Sequence, residues 1–232
     1  MDRILKVVRL QNLNKMTFIG IPLIILVGCF VLSLGIFALI PVTPALGYKF
    51  AGGAPVAPMW YFMGAGIYAL TLTFPFSQAM SVTRRDFYLG TMVIAVLSSI
   101  GMSLIFTVGG FIEEAFNGWG LDGRFFRIPG LWDAGPWLQA LTYFTAMMLL
   151  FTLGFVFTVI YRRWGRTIML IVLLGIIAAL LVLGFLAIKF GFWVAMFETI
   201  GSIGLWGWTF IGLALTVVLA ALSYLPLRRM IA

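Results

Sequence analysis

Six stretches of this chain, each 22 to 25 residues long, contain no lysine, arginine, aspartate or glutamate. They are residues 17–40, 58–79, 88–112, 138–160, 167–188 and 203–225. A helix needs about 20 apolar residues to cross a hydrocarbon core of roughly 30 Å. Lipid offers backbone N–H and C=O groups no partner, so a spanning segment must be a helix or part of a closed barrel. Barrel strands would be about 10 residues long and would alternate polar with apolar residues. These runs are longer and apolar all round. The expectation is an all-α, polytopic membrane protein: six transmembrane helices in one integral domain over residues 1–232.

Composition removes the alternatives. The chain is 63% hydrophobic and 9% charged, against about 25% charged in an average soluble domain. So few charges cannot clothe a water-soluble globule of this size, and so many apolar residues exclude a disordered chain. Histidine is absent and Cys29 is the single cysteine. That excludes an intrachain disulfide, histidine-ligated haem or zinc, and any triad built on histidine. The first run is too long and starts too late for a cleavable signal peptide, and residues 36–44 carry no small-x-small cleavage site.

Six spans put both termini on one side, and the charges say which. Eleven basic residues fall on the side of the termini: Arg3, Lys6, Arg9, Lys15, Arg84, Arg85, Arg162, Arg163, Arg166, Arg228 and Arg229. Four fall opposite: Lys49, Arg124, Arg127 and Lys189. The positive-inside rule therefore assigns both termini to the cytoplasm and the chain to the plasma membrane. Five of the seven acids lie on the outer side, so the net charge of +8 divides into about +9 inside and −1 outside. No basic segment is long or aromatic enough for nucleic acid; anionic lipid of the bilayer is the expected partner of this charge. Seven of the eight tryptophans fall at or beyond outer span ends, as interface anchors do.

Residues 1–16 form a basic cytoplasmic segment that can lie along the inner surface. Residues 41–57, rich in Gly and Pro, read as irregular. The outer loop 113–137 is long and aromatic, and a loop of that length is expected to fold into a compact cap. Glu113 and Glu114, at its start, read as a solvated pair at a helix end. No phosphate-binding loop, GxSxG, HExxH or CxxC motif occurs, and no acid pair lies inside a span. The sequence thus offers no catalytic residues, no metal ligands and no cofactor site of its own. Charge-free spans also weaken a proton-coupled carrier.

The short inner turn between the second and third runs is more informative. Thr83, Arg84, Arg85 and Asp86 form its tip, Ser81 or Thr83 can cap a helix starting there, and Phe87 and Tyr88 follow. It reads as a plain basic turn or as a knob that pairs with acidic groups of a cytoplasmic partner.

Phe74-Pro75-Phe76 followed by Ser81-Val82-Thr83-Arg84-Arg85-Asp86-Phe87-Tyr88-Leu89-Gly90-Thr91 resembles the turn of small permease subunits of type-2 ABC exporters. These often read G-x-T/S-R-R-x-F here; Ser81 or Val82 stands where that pattern has glycine. The motif covers about 18 residues, and the six-span layout with cytoplasmic termini fits over the whole chain. The resemblance implies a non-enzymatic transport subunit. ATP and Mg would sit on a separate cytoplasmic ATPase dimer, and the substrate path would run between this chain and a second copy or related permease. It implies that Met80, Ser81, Val82, Thr83, Arg84, Arg85, Asp86 and Phe87 couple to the ATPase. Arg162, Arg163, Trp164 and Arg166 would form a second cytoplasmic contact.

Two faces complete the candidates. Thr91, Ala95, Ser99 and Ser103 recur every four residues, a small-residue face for packing within the chain or for a dimer seam. Tyr68, Thr71, Ser77 and Gln78 make the second run the more polar one, for a translocation face or a buried helix contact. The alternatives to an exporter of drugs, antimicrobial peptides or lipids are two. One is a non-catalytic immunity or assembly protein that binds a partner through its outer aromatic loop. The other is an integral membrane enzyme.

Overall fold

The computed structural model describes residues 16–42, 47–79, 82–191 and 193–227. The basic segment before Met16 and the pair Arg228 and Arg229 lie outside the described residues. The protein is about 85% helical. Among the described residues, four helices are long and apolar enough to cross a membrane: Met16–Leu39, Arg84–Ala115, Pro136–Lys189 and Gly201–Pro226. Much of their apolar surface is uncovered; Leu39 is 85% exposed and Leu32 70%. Apolar surface of that extent suits lipid, not water. The chain is a helical membrane protein, with one two-residue strand pair among the described residues.

Helix α1, Met16–Leu39, opens with a π turn at Met16–Gly20 and carries Pro22, whose fixed φ suits a helix, in the first turn of its regular part. Helix α2 runs through Ala57–Tyr68, a π turn at Ala69–Thr73 and Phe74–Ala79. It covers the expected run 58–79, but its tyrosines, threonines and glycines leave it outside the four most apolar helices. Pro75 has no N–H to return to the Thr71 carbonyl four residues earlier. The Arg162 guanidinium donates to that carbonyl at 2.8 Å instead.

Helix α3, Arg84–Ala115, extends the expected run 88–112 by about a turn at each end. The runs 138–160 and 167–188 were expected as separate helices; they lie on one helical stretch, α4, Pro136–Lys189. Straight, its 54 residues would measure about 80 Å, more than twice the roughly 30 Å hydrocarbon core. Gly165, at φ 81° and ψ 179°, breaks it into two arms, 136–164 and 166–189. Only glycine adopts that conformation without strain. Helix α5, Trp193–Leu227, is broken the same way at Gly204.

The core lies among α1, α2, α3 and the first arm of α4, around Phe62, Phe87, Phe106, Phe151 and Phe155. In lipid, close contact rather than the hydrophobic effect holds helices together. α2 and α4 achieve it with glycines: a Cβ on Gly66 would strike the Phe151 carbonyl, and one on Gly154 would strike the Met63 carbonyl. Tyr61 adds a hydrogen bond from its hydroxyl to the Thr17 carbonyl at 2.7 Å, and the Tyr88 hydroxyl donates to Ala220 of α5 at 2.6 Å. The second arm of α4 is exposed along nearly all its length.

The loop 41–57, read as irregular, is partly ordered by a distant partner. Lys49–Phe50 (β1) pairs in parallel with Gly123–Arg124 (β2), and Ala54–Val56 forms a 3-10 turn. The Lys49 ammonium donates to the Phe37 carbonyl at 2.6 Å, which satisfies an orphan acceptor near the end of α1.

Candidate functional site

Residues 80–83 link α2 to α3. Met80 and Ser81 lie outside the described residues. The rest of the turn is buttressed by its neighbours. The Val82 N–H donates to the Ser77 carbonyl at 3.1 Å, and the Gln78 amide donates to the Val82 carbonyl at 3.1 Å. Thr83, in extended backbone, is the N-cap of α3: its Oγ1 accepts the Asp86 N–H at 3.2 Å. The same hydroxyl donates to the Asp86 carboxylate at 2.7 Å. Of the two expected caps, Thr83 is the one within the described residues, and it starts the long helix α3. Phe87 is fully buried and meets Phe74 edge-on at 5.2 Å. Arg85 projects into the open, with Arg84 and Asp86 half-buried beside it.

The cluster of Arg162, Arg163, Trp164 and Arg166, expected as a second cytoplasmic contact, reaches the same neighbourhood. Arg162 ties the end of the first α4 arm to α2 through Thr71. Arg163 stacks over the Trp164 ring at 4.6 Å, and Arg166 is exposed. Two residues of the expected translocation face therefore brace the turn: Gln78 directly, and Ser77 through its carbonyl. The Ser77 side chain is fully buried, its hydroxyl donating to Phe74. The Thr71 hydroxyl donates to Ile67, and Tyr68 is half-buried. Thr91, Ala95, Ser99 and Ser103 are all buried inside the chain, and Ser103 donates to the Ala140 carbonyl of α4. They pack helices within the chain.

The opposite end of the helices, expected to face outward, holds a second built region, and here one expectation fails. Glu114 is exposed, but Glu113 is completely buried. Its Oε2 accepts the Phe125 and Phe126 N–H groups at 2.8 and 3.0 Å and the Trp119 indole N–H at 3.0 Å. Its Oε1 accepts the Arg127 N–H at 3.1 Å and the Arg127 Nε at 3.3 Å. A carboxylate near a helix C-terminus faces the negative end of the dipole. Five converging donors offset that cost and the cost of burial. Gln139 clamps the same segment, accepting from Ile128 at 3.0 Å and donating to Phe126 at 2.8 Å.

The rest of the cap is aromatic. Phe30 of α1 sits 4.9 Å from Trp119 and 5.3 Å from both Phe125 and Phe126. Phe126 and Trp132 lie against Gly109 and Gly110 of α3, where a Cβ would collide with their rings. Asn117, Trp119 and Asp122 have φ of 48°, 64° and 52°, a left-handed conformation uncommon for residues other than glycine. Beside them, a polar recess of about 250 Å³ is bounded by Tyr48, Asn117, Asp122, Arg124 and Arg127. Arg124 stacks over Tyr48 at 4.0 Å and stands 3.8 Å from Asp133.

Sequence reasoning missed the Glu113 cage and the Gln139 clamp. The signal was an acid at a helix end followed about a dozen residues later by Phe-Phe-Arg, a loop segment whose buried N–H groups need an acceptor. Among the described residues, no cluster of histidine, cysteine or acid side chains can hold a metal. No protein-family model, curated protein or solved structure matches the chain.

Proposed function

We propose that this chain is the transmembrane permease subunit of an ATP-driven exporter. It crosses the plasma membrane six times with both termini in the cytoplasm, the breaks at Gly165 and Gly204 bounding the last spans. It moves an apolar or amphipathic substrate outward, as a dimer with a second copy or a related permease. The observation that carries the proposal is the turn between α2 and α3. A basic tip is held by a Thr83 cap, two hydrogen bonds from α2 and the buried Phe87 ring. A push delivered to Arg84, Arg85 and Asp86 would pass into α2 and α3 rather than dissipate in a loose loop. The ATPase dimer would bind ATP and Mg and close, and the turn would convert that closure into tilt of the spans. Arg162, through Thr71, links the second cytoplasmic cluster to the same helix.

The test is purification of the full chain from its native membrane with identification of any ATPase bound to it. An ATPase that accompanies the wild type and is lost from a double Arg84→Glu, Arg85→Glu variant is the expected outcome. No associated ATPase, or one indifferent to the charge reversal, would falsify the proposal.

A second reading draws on the outer cap. A protein that binds a partner from outside needs an ordered outer surface, and the cap around Glu113 provides one, with Phe116 65% exposed at its edge. A cap variant such as Phe116→Ser that abolishes function while the ATPase stays bound would favour this reading.

A further inference from the structure

One large cleft in the protein serves neither the turn nor the cap. It is a cleft of about 960 Å³ at the end of the helices that carries Arg162, Arg163 and Arg166. That is near the top of the roughly 300–1,000 Å³ range of small-molecule sites. Its walls come from three helical segments: Val156 and Ile160 on the first arm of α4, Val172 on the second, and Leu219 and Leu222 on α5. The two arms diverge around Gly165, and the cleft lies between them and the end of α5. Among the described residues, its one charged wall residue, Arg163, lies toward the Gly165 end. The hydroxyl in the wall, that of Ser223, donates to the Ala220 carbonyl at 2.7 Å.

Arg163 is held but not neutralised. Its guanidinium lies 4.6 Å over the Trp164 ring, and among the described residues no carboxylate pairs with it. Stacking uses the face of a guanidinium and leaves its N–H edge for an anion. Trp164 adds an indole ring, the group that favours the headgroup level.

A long apolar cleft with one cationic group is complementary to a molecule with an apolar body and one anionic head. In a bilayer, that chemistry is present at high concentration in anionic phospholipid. We infer that this cleft binds an anionic glycerophospholipid of the leaflet facing the basic ends of the helices. Its acyl chain lies along Val156, Ile160, Val172, Leu219 and Leu222, and its phosphate meets Arg163. The inference rests on the chain being a membrane protein and is independent of any ATPase. Burial of acyl methylenes supplies affinity without selectivity, and the charge-assisted bond to Arg163 supplies the choice of headgroup.

The experiment uses the full chain in vesicles of phosphatidylcholine doped with a phosphatidylglycerol probe that carries a photoreactive diazirine at the acyl end. Irradiation is followed by mapping of the adducts. Adducts are expected on the cleft walls, and unlabelled phosphatidylglycerol should displace them at about one tenth of the concentration needed for phosphatidylcholine. Arg163→Gln should erase that preference, whereas Arg85→Gln, a basic residue away from the cleft, should leave it intact. Adducts scattered over the helices, equal displacement by both lipids, or equal loss with Arg85→Gln would overturn the inference. The wild-type competition decides the matter even if the Arg163 variant does not fold, and none of these outcomes depends on ATPase association.

Discussion

At the residue scale, two side chains organise the two ends of the molecule. Glu113 gathers the cap because a buried carboxylate with five donors tolerates neither loss of its charge nor loss of its size. Removing one member of a buried charged network costs about 3–5 kcal/mol. Glu113→Ala is therefore expected to lower thermal stability in detergent sharply and to open loop 113–137 to protease. Glu113→Gln should cost less but still register, because its amide N–H₂ would face N–H donors; a Glu113→Gln protein as stable as wild type would contradict the cage. At the other end, Thr83→Ala should cost about 1 kcal/mol, the usual worth of an N-cap. Thr83→Ser, which keeps the hydroxyl, should restore most of it. Hydrogen exchange at the first turn of α3 reads both. If the turn transmits force, the Ala variant will also uncouple ATP hydrolysis from transport more than it weakens ATPase binding.

At the element scale, α2 and α4 meet backbone to backbone at Gly66 and Gly154. A single methyl at either position meets a carbonyl oxygen rather than a flexible side chain, so the helices must separate. Gly66→Leu and Gly154→Leu should each destabilise the purified protein. Gly175→Leu, on the exposed second arm of α4 with nothing within 4 Å, should leave its melting temperature within about a degree of wild type, as expected of an uncrowded surface position. Equal melting temperatures for all three would refute the close crossing. Gly165 belongs to this scale too: the span runs 138–160 and 167–188 show where the apolar helix must pause, but the basic residues between them do not say how. The pause is a single glycine in a conformation closed to other residues, set inside what is otherwise one helix.

At the scale of the whole molecule, the six-span arrangement makes one claim that can be checked directly. With Cys29 replaced by serine, single cysteines at Asp122 and Arg162 should react with an impermeant maleimide from opposite sides of intact cells. Reaction from the same side would reject the arrangement. Length, hydropathy and charge asymmetry are additive properties of the sequence, and they were enough to determine that the chain is helical, that it belongs in a membrane, and where its apolar runs begin and end. A long aromatic loop was likewise enough to mark 113–137 as a folded cap. Contacts between residues far apart were not legible in this way. The burial of Glu113, the pairing of Lys49 with Gly123, the use of Ser103 within the monomer and the cleft beneath Arg163 each depend on which helix faces which. In lipid that choice is made by small residues and stray hydrogen-bonding groups. Hydropathy, nearly uniform around these helices, is silent about it, and only the tertiary structure could decide it.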